Sequence, residues 1–325
     1  MGLADEMRTA ASTLLTGLNA IHRPAAHHPF GDEAKRRWLE YRPEYRPGAC
    51  VAEFSVTARK AAYRLLATAL SEPAYAQAMS IIALEETLDR REGWRHGRHS
   101  GDYWVNVFGD PAGDEPWAWR FEGHHLSVSM TLAGDRVSPA PVFFGANPHR
   151  VSQAGRVVSR PLAPEEDLAR DLLDALGTRA RGQAAIAAGP IIADRAIIAA
   201  EAPADILSGP RPRAAEAIEP LGVAAADLGL TARALLDQLV ALYLDRLPAG
   251  LIEPPSDLHF GWAGPLTPGF RHYYRIQGDD LLIEYDNTSD DGNHAHTVLR
   301  RPRSDFGDDI LTAHLRTPHN STGRV

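Results

Sequence analysis

The spacing of apolar residues changes along this chain, and each change marks a block of structure. From about 3 to 22, and again from 55 to 90, they recur at helical spacing. In the second stretch Val56, Tyr63, Leu66 and Leu70, then Met79, Ile82 and Leu88, predict two amphipathic helices parted near Pro73. Between these stretches lies 23–50, rich in proline and arginine (Pro24, Pro29, Pro43, Pro47). It reads as an ordered loop or clamp, with Trp38, Tyr41 and Tyr45 to bury. From 101 to 145 the period falls to two. Tyr103, Val105 and Val107 alternate, 110–114 turns, and Trp117, Trp119 and Phe121 alternate again. A third strand over 126–132 turns through Ala133-Gly134-Asp135-Arg136 into Val142-Phe143-Phe144, which completes an antiparallel meander.

Residues 163–247 return to helix. Glu165, Glu166 and Asp167 put acids in a first turn, where the helix dipole favours them, and Leu168, Leu172, Leu173 and Leu176 form the stripe. A second helix over 230–247 stops at Pro248. The alanine-rich 182–226, broken by Gly and Pro, reads as short elements around a mobile loop. The final block is strand: 259–262, 273–276, 281–287 and 294–300, with Gln277-Gly278-Asp279-Asp280 as a hairpin turn. No repeat of 20–50 residues stands out. Strands in two distant blocks need partners, so the pattern predicts a single α+β domain over 1–325. Its antiparallel sheet comes from about 101–145 and 257–300, and helices from about 3–90 and 163–247 flank it. The N-terminal helical segment, 1–95, packs on that sheet.

Composition narrows the function. The 325 residues are 44% hydrophobic, too apolar for a disordered chain. No run approaches the roughly 18 apolar residues of a membrane span. A net charge of −8 argues against a nucleic-acid partner, which wants a basic face. The single cysteine, Cys50, removes a disulfide framework, a thiolate zinc ribbon and a CxxC redox pair. The first residues lack a basic-then-apolar leader, and Glu6 stands where a myristoylation motif wants Ser or Thr. The expectation is a soluble cytoplasmic protein that acts on a small molecule, away from membranes.

Histidine is the unusual count. Seven of the 14 fall within 96–125 and 294–314, far more than even spacing would place there. In Glu122-Gly123-His124-His125 the alternation of a strand sends one imidazole to the tryptophan face and the other to the Glu122 face. A single such histidine is more often a core residue bonded to a carbonyl. In His294-Ala295-His296 the two imidazoles share one strand face, with Cα atoms about 6–7 Å apart, so both can reach one cation. A hairpin brings Glu284 or Asp286 close to that pair. Asp305-Phe306-Gly307 matches the magnesium triplet of kinases, but no glycine-rich loop or catalytic triad accompanies it, so Asp308 or Asp309 reads as a cap before a helix bearing His314. The run 94–99, with Arg95 and Arg98, reads as a solvated loop before it reads as an acid-binding site. Neither G-x-S-x-G nor a strand-borne G-x-G-x-x-G is present.

These residues predict a metal-dependent enzyme for a small polar substrate, with hydrolysis ahead of oxidation. His125, His294 and His296 are the expected ligands of a divalent transition metal, zinc first, then copper or iron. His124 is a fourth ligand or proton shuttle, and Glu122 or Asp286 the general base. Copper or iron would shift the reading to an oxidoreductase. The rival from another class is a binding protein that captures a ligand or metal without turnover.

Trp119-Arg120-Phe121-Glu122-Gly123-His124-His125-Leu126-Ser127-Val128 also carries a family likeness. So do Leu282-Ile283-Glu284-Tyr285-Asp286-Asn287-Thr288, Asn293-His294-Ala295-His296-Thr297-Val298, Arg300, Asp305-Phe306-Gly307-Asp308-Asp309 and His314. Together they resemble the family catalogued as domain of unknown function 3500. The likeness extends to Leu65-Leu66-Ala67-Thr68-Ala69-Leu70-Ser71, Phe143-Phe144-Gly145-Ala146-Asn147-Pro148 and Glu165-Glu166-Asp167-Leu168-Ala169, and so spans about 35–315. The resemblance implies one contiguous domain in which both histidine motifs belong to one architecture; it implies no activity. The family's segment before the His-x-His pair carries a glutamine where this chain has Ser289, which bears on the reach of Glu284 and Asp286.

Overall fold

The computed structural model describes residues 2–39, 45–177, 192–208 and 218–316. Tyr41 of the expected clamp, and the parts of the expected loop within 178–191 and 209–217, lie outside the described residues. The helices are α1 (Leu3–Gly17), α2 (His22–Ala26), α3 (Glu33–Arg36), α4 (Val56–Thr68), α5 (Glu72–Arg91), α6 (Ala163–Ala175), α7 (Ile192–Ala196), α8 (Leu230–Leu244) and α9 (Asp308–Arg316). The first strands are β1 (His27–His28), β2 (Ala49–Cys50), β3 (Tyr103–Phe108), β4 (Trp117–Gly123), β5 (Leu126–Ala133) and β6 (Arg136–Ala146). A separate hairpin, β7 (Val151–Gln153) and β8 (Arg156–Ser159), follows. The last are β9 (Ile197–Ala199), β10 (Val223–Ala224), β11 (His259–Ala263), β12 (His272–Gly278), β13 (Leu281–Ser289) and β14 (His294–Arg300). Among the described residues no helix is long and apolar enough to cross a membrane.

Among the described residues, twelve strands make one sheet in the order β1-β3-β4-β5-β6-β14-β13-β12-β11-β10, with β2 also on β3 and β9 also on β11. Two four-stranded meanders, β3–β6 and β11–β14, meet along β6 and β14, which run antiparallel from Ala295 opposite Ala146 to Leu299 opposite Val142. The α+β expectation, with one sheet drawn from both ends of the chain, holds.

The two halves share a plan that the sequence did not reveal. In each, a short strand lies parallel to the outer meander strand (His27 opposite Val107; Ile197 opposite Trp262). A second short strand lies antiparallel to it (Ala49 opposite Val105; Val223 opposite Phe260). Gly48 and Gly222, each just before that second strand, both take positive φ and approach the carbonyls of Val105 and Phe260. A 3-10 turn and a helix follow in both, α4 with Thr57-Ala58-Arg59 and α8 with Thr231-Ala232-Arg233. Along β4 and β12, Arg120-Phe121-Glu122-Gly123 answers Arg275-Ile276-Gln277-Gly278, so the tip His124-His125 answers Asp279-Asp280.

One face of the sheet carries Val105, Trp119, Phe121, Val128, Phe144, Ala295, Ile283 and Tyr274 against α1, α4, α5, α6 and α8 in the main core. The alternate positions, Arg120, Glu122, Glu284, Asp286, His294, His296 and Arg300, are also buried. They lie beneath chain segments that hydrogen-bond to them: Arg120 donates to the Lys35 carbonyl, Arg275 to that of Glu219, and Glu284 accepts from Leu207 N. A polar sheet face under loops is an unusual use of buried area, since each charge there must find a partner.

One local expectation gains detail and another changes. Glu165 and Glu166 stand in the first turn of α6, as expected, and that end faces inward. Glu165 accepts from Arg246 Nη2 at 2.6 Å, and Glu166 accepts from Arg160 and Arg170 at 2.6 and 2.8 Å. In the clamp, Tyr45 is 70% exposed. Leu39 is buried instead, in a small cluster with Phe143, Val298 and Phe306.

Candidate metal centre

The tip of the β4–β5 hairpin is a two-residue loop, because Gly123 pairs with Leu126 and leaves His124 and His125 outside the ladder. Tyr103 fixes this tip. Its ring lies over Gly123, where any side chain would collide with it, and its hydroxyl donates to the His124 carbonyl at 2.9 Å. His125 takes φ 65°, a left-handed conformation that a side-chain-bearing residue holds at a cost of about 1 kcal/mol or more. Gly145 in β6 receives its ring. A Cβ at Gly145 would stand 2.7 Å from His125 Cδ2, and Gly145 N donates to the His125 carbonyl at 2.7 Å.

β14 delivers the other two imidazoles. Ala295 points into the main core, so His294 and His296 project from the opposite face, and His296 lies directly across from Gly145. The motifs therefore converge. His125 Nε2 is 2.8 Å from His294 Nε2, and the ring centroid of His296 is 5.3 Å from that of His125 and 4.6 Å from that of His294. One nitrogen from each of the three rings falls within 4.8 Å of the others. Nitrogens bound to one cation at about 2.0–2.1 Å stand about 3 Å apart, so ring rotations that move them by about an ångström bring all three onto one centre.

The outer nitrogens of His294 and His296 are already engaged. His294 Nδ1 lies 3.2 Å from Asp290 Oδ2 and 3.2 Å from Asn147 Nδ2, and Asn147 also donates to Asp290. His296 Nδ1 lies 3.0 Å from Asp205 Oδ1, with Asp286 Oδ1 behind it at 3.9 Å. Carboxylates on the outer nitrogen turn the inner one towards the centre and raise its basicity. Burial, reinforced by the neighbouring His124, His296 and His294, holds His125 well below the ordinary imidazole pKa. It is neutral, with a lone pair to give.

His124 stacks on His125 at 3.6 Å between centroids, and its Nδ1 meets Glu85 Oε1 of α5 at 2.6 Å. His124, His125, His294 and His296 form one wall of an open cavity of about 660 Å³. Glu85, Arg46, Arg98, Trp104 and Asp290 are also on its walls.

The expected carboxylates sit elsewhere. Glu122 is fully buried and accepts from Arg120 Nε at 2.8 Å, while Asp286 stands behind His296 and accepts from Thr288. Neither lines the cavity; Glu85 does. Glu284 neither touches the imidazoles nor lines the cavity. It accepts from Leu207 N, Ser208 N and Tyr273 Oη, which pins the loop that carries Asp205. Glu85 and Asp205 are among the residues that escaped the sequence reading. Glu85 had a signal, a charge at an inward position of a helical stripe between Ile81, Ile82 and Leu88. Asp205, in irregular chain, had none. Arg98 of the presumed solvated loop does reach the cavity, tied to Glu92 at 2.8 Å. Asp308 pairs with Arg37, and Asp309 accepts from Ser138, so both fasten α9 to the body.

The fold and this imidazole-lined cavity define the chain as an α+β protein with a candidate three-histidine centre. It belongs to the family described as protein of unknown function (DUF3500), whose model matches residues 2–308. No curated protein matches it, and neither does any solved structure.

Proposed function

We propose that this protein is a metal-dependent enzyme, hydrolytic in the first instance, that acts on a small polar molecule. His125, His294 and His296 would hold a divalent transition metal. The observation that carries the reading is the convergence of these three buried rings beside an open cavity, with the outer nitrogens of His294 and His296 held by carboxylates. An all-imidazole set with room for a further ligand suits zinc and equally admits copper or iron. A metal there supplies a Lewis acid and lowers the pKa of water towards neutrality.

The chain's own residues do the rest. Glu85 holds the Nδ1 side of His124, which leaves His124 Nε2 to accept a proton at the cavity wall. Asp205 and Asp290 orient the rings of His296 and His294. Asp286 backs His296, and Glu122 serves the arginines beside the cavity rather than the reacting water. A cytoplasmic setting belongs to the same proposal.

Metal analysis of purified protein beside His125→Ala and His296→Ala tests it. About one transition metal per chain is expected in the wild type and a large loss in each variant. A wild type that stays metal-free after supplementation overturns the reading. Visible absorption of a copper- or iron-loaded sample, with redox turnover, would instead favour the oxidoreductase.

A further inference from the structure

Arg46 stands on the cavity wall with its side chain only 10% exposed. Its nearest carboxylate oxygen, Glu122 Oε2, is 3.6 Å away, beyond hydrogen-bond reach. Among the described residues no hydrogen bond reaches its guanidinium, and none reaches Glu122 Oε2. The other Glu122 oxygen is committed to Arg120, so two buried guanidinium groups share one carboxylate. Burial opposes the charge on Arg46, and Glu122 only partly offsets this.

The other charged groups around the cavity are engaged. Arg98 meets both oxygens of Glu92 at 2.8 and 3.4 Å, Glu85 meets His124, Asp290 meets Asn147 and His294, and Asp102 accepts from His99 N. Arg46 is different. It lies with its guanidinium carbon 6.0 Å from the Trp104 ring centre, a flat apolar surface on the same wall. A planar fork of five donors, dry and short of acceptors, is what binds an oxyanion bidentately.

We infer that the cavity takes an anionic substrate, whose carboxylate or phosphate is held by Arg46 beside Trp104 while its reactive end meets the imidazoles. The placement of the reactive end rests on the metal-enzyme reading; the oxyanion site at Arg46 can be tested without it.

The test is calorimetric titration of metal-free and metal-loaded protein with two probes, benzoate and inorganic phosphate. The proteins compared are wild type, Arg46→Met, Arg46→Lys and Glu122→Gln, each checked for folding by circular dichroism. Arg46→Met is expected to weaken binding at least tenfold and Arg46→Lys to fall between. Glu122→Gln, which removes the competing internal anion, should tighten binding severalfold, an effect that a merely structural Arg46 would not give. The probe that binds more tightly identifies carboxylate or phosphate as the group recognised. Equal affinities in wild type and Arg46→Met, or no binding to either form of the wild type, overturn the inference. Arg46-dependent binding in a protein that takes up no metal would keep this site and end the metal reading. Metal uptake without Arg46-dependent binding would do the reverse.

Discussion

His125 and His294 are 169 positions apart in the chain, yet their Nε2 atoms lie 2.8 Å from one another. Without a cation, one of the two must donate a proton to the other. With a cation, both lone pairs turn to it. Their approach depends on Gly145, which seats the His125 ring and sits opposite His296 in the sheet.

Gly145→Ala should therefore damage the centre without touching a ligand. Its methyl would press on His125 Cδ2 and stand 3.0 Å from the Ala295 carbonyl. A stability loss of about 1–3 kcal/mol is expected from such overpacking. Cobalt titration should show at least tenfold weaker metal binding in protein that still folds. Unchanged affinity would mean that the ring has room this geometry denies it.

Asp205→Asn should act through His296. Removing the carboxylate from Nδ1 loosens both the tautomer and the ring orientation, for which a metal affinity lower by about 10- to 100-fold is expected. Competition with a chelator measures it. The loop itself should stay in place, since Glu284 holds Leu207 N and Ser208 N independently.

Glu85→Gln separates proton transfer from metal binding. Metal content should match the wild type if the centre is His125, His294 and His296, because Glu85 is hydrogen-bonded to His124, although its carboxylate lies within 4.8 Å of a His125 nitrogen. Turnover of any substrate found by screening esters, amides and phosphate esters should fall by about 100-fold or more. A loss of metal in this variant would place Glu85 among the ligands instead.

His272 gives a prediction about stability. Its ring is stacked between Trp262 at 4.8 Å and Tyr285 at 5.4 Å, and burial pushes its pKa down to about 4. The unfolded chain takes up this proton near pH 6.5, while the native one stays neutral until about 4. Stability should therefore be full above pH 6.5 and decline as pH falls towards 4, by about 3 kcal/mol from this group. His125, also depressed, adds loss below pH 6.5. Urea unfolding at several pH values should show a shallower decline for His272→Phe, and equal slopes would refute the assignment.

The meanders were readable because period-two alternation survives wherever one sheet face packs on helices: Trp117, Trp119 and Phe121 had no other use. The histidine motifs were readable as motifs, since His294 and His296 must share a face. Their convergence was not, because it depends on β14 pairing with β6 across the chain. The shared plan of the two halves was hidden by loops of unequal length, although Thr57-Ala58-Arg59 and Thr231-Ala232-Arg233 spell it locally. Arg46 and Asp205 sit in irregular chain, where no periodicity marks an inward-facing side chain. Glu165 and Glu166 were readable as first-turn acids, but not their partners, because such acids look the same whether that turn faces water or the sheet.

The seam between β6 and β14 has one more consequence. His125 is supplied by the first meander, and His294 and His296 by the second, so no single half owns the centre. A cation gripped there would act as a clasp across the joint, and would lower the free energy only of the docked state. Uptake of metal would then report that the two halves have closed on one another. Conversely, a weakness anywhere along the seam would appear first as a protein that folds but no longer retains its metal.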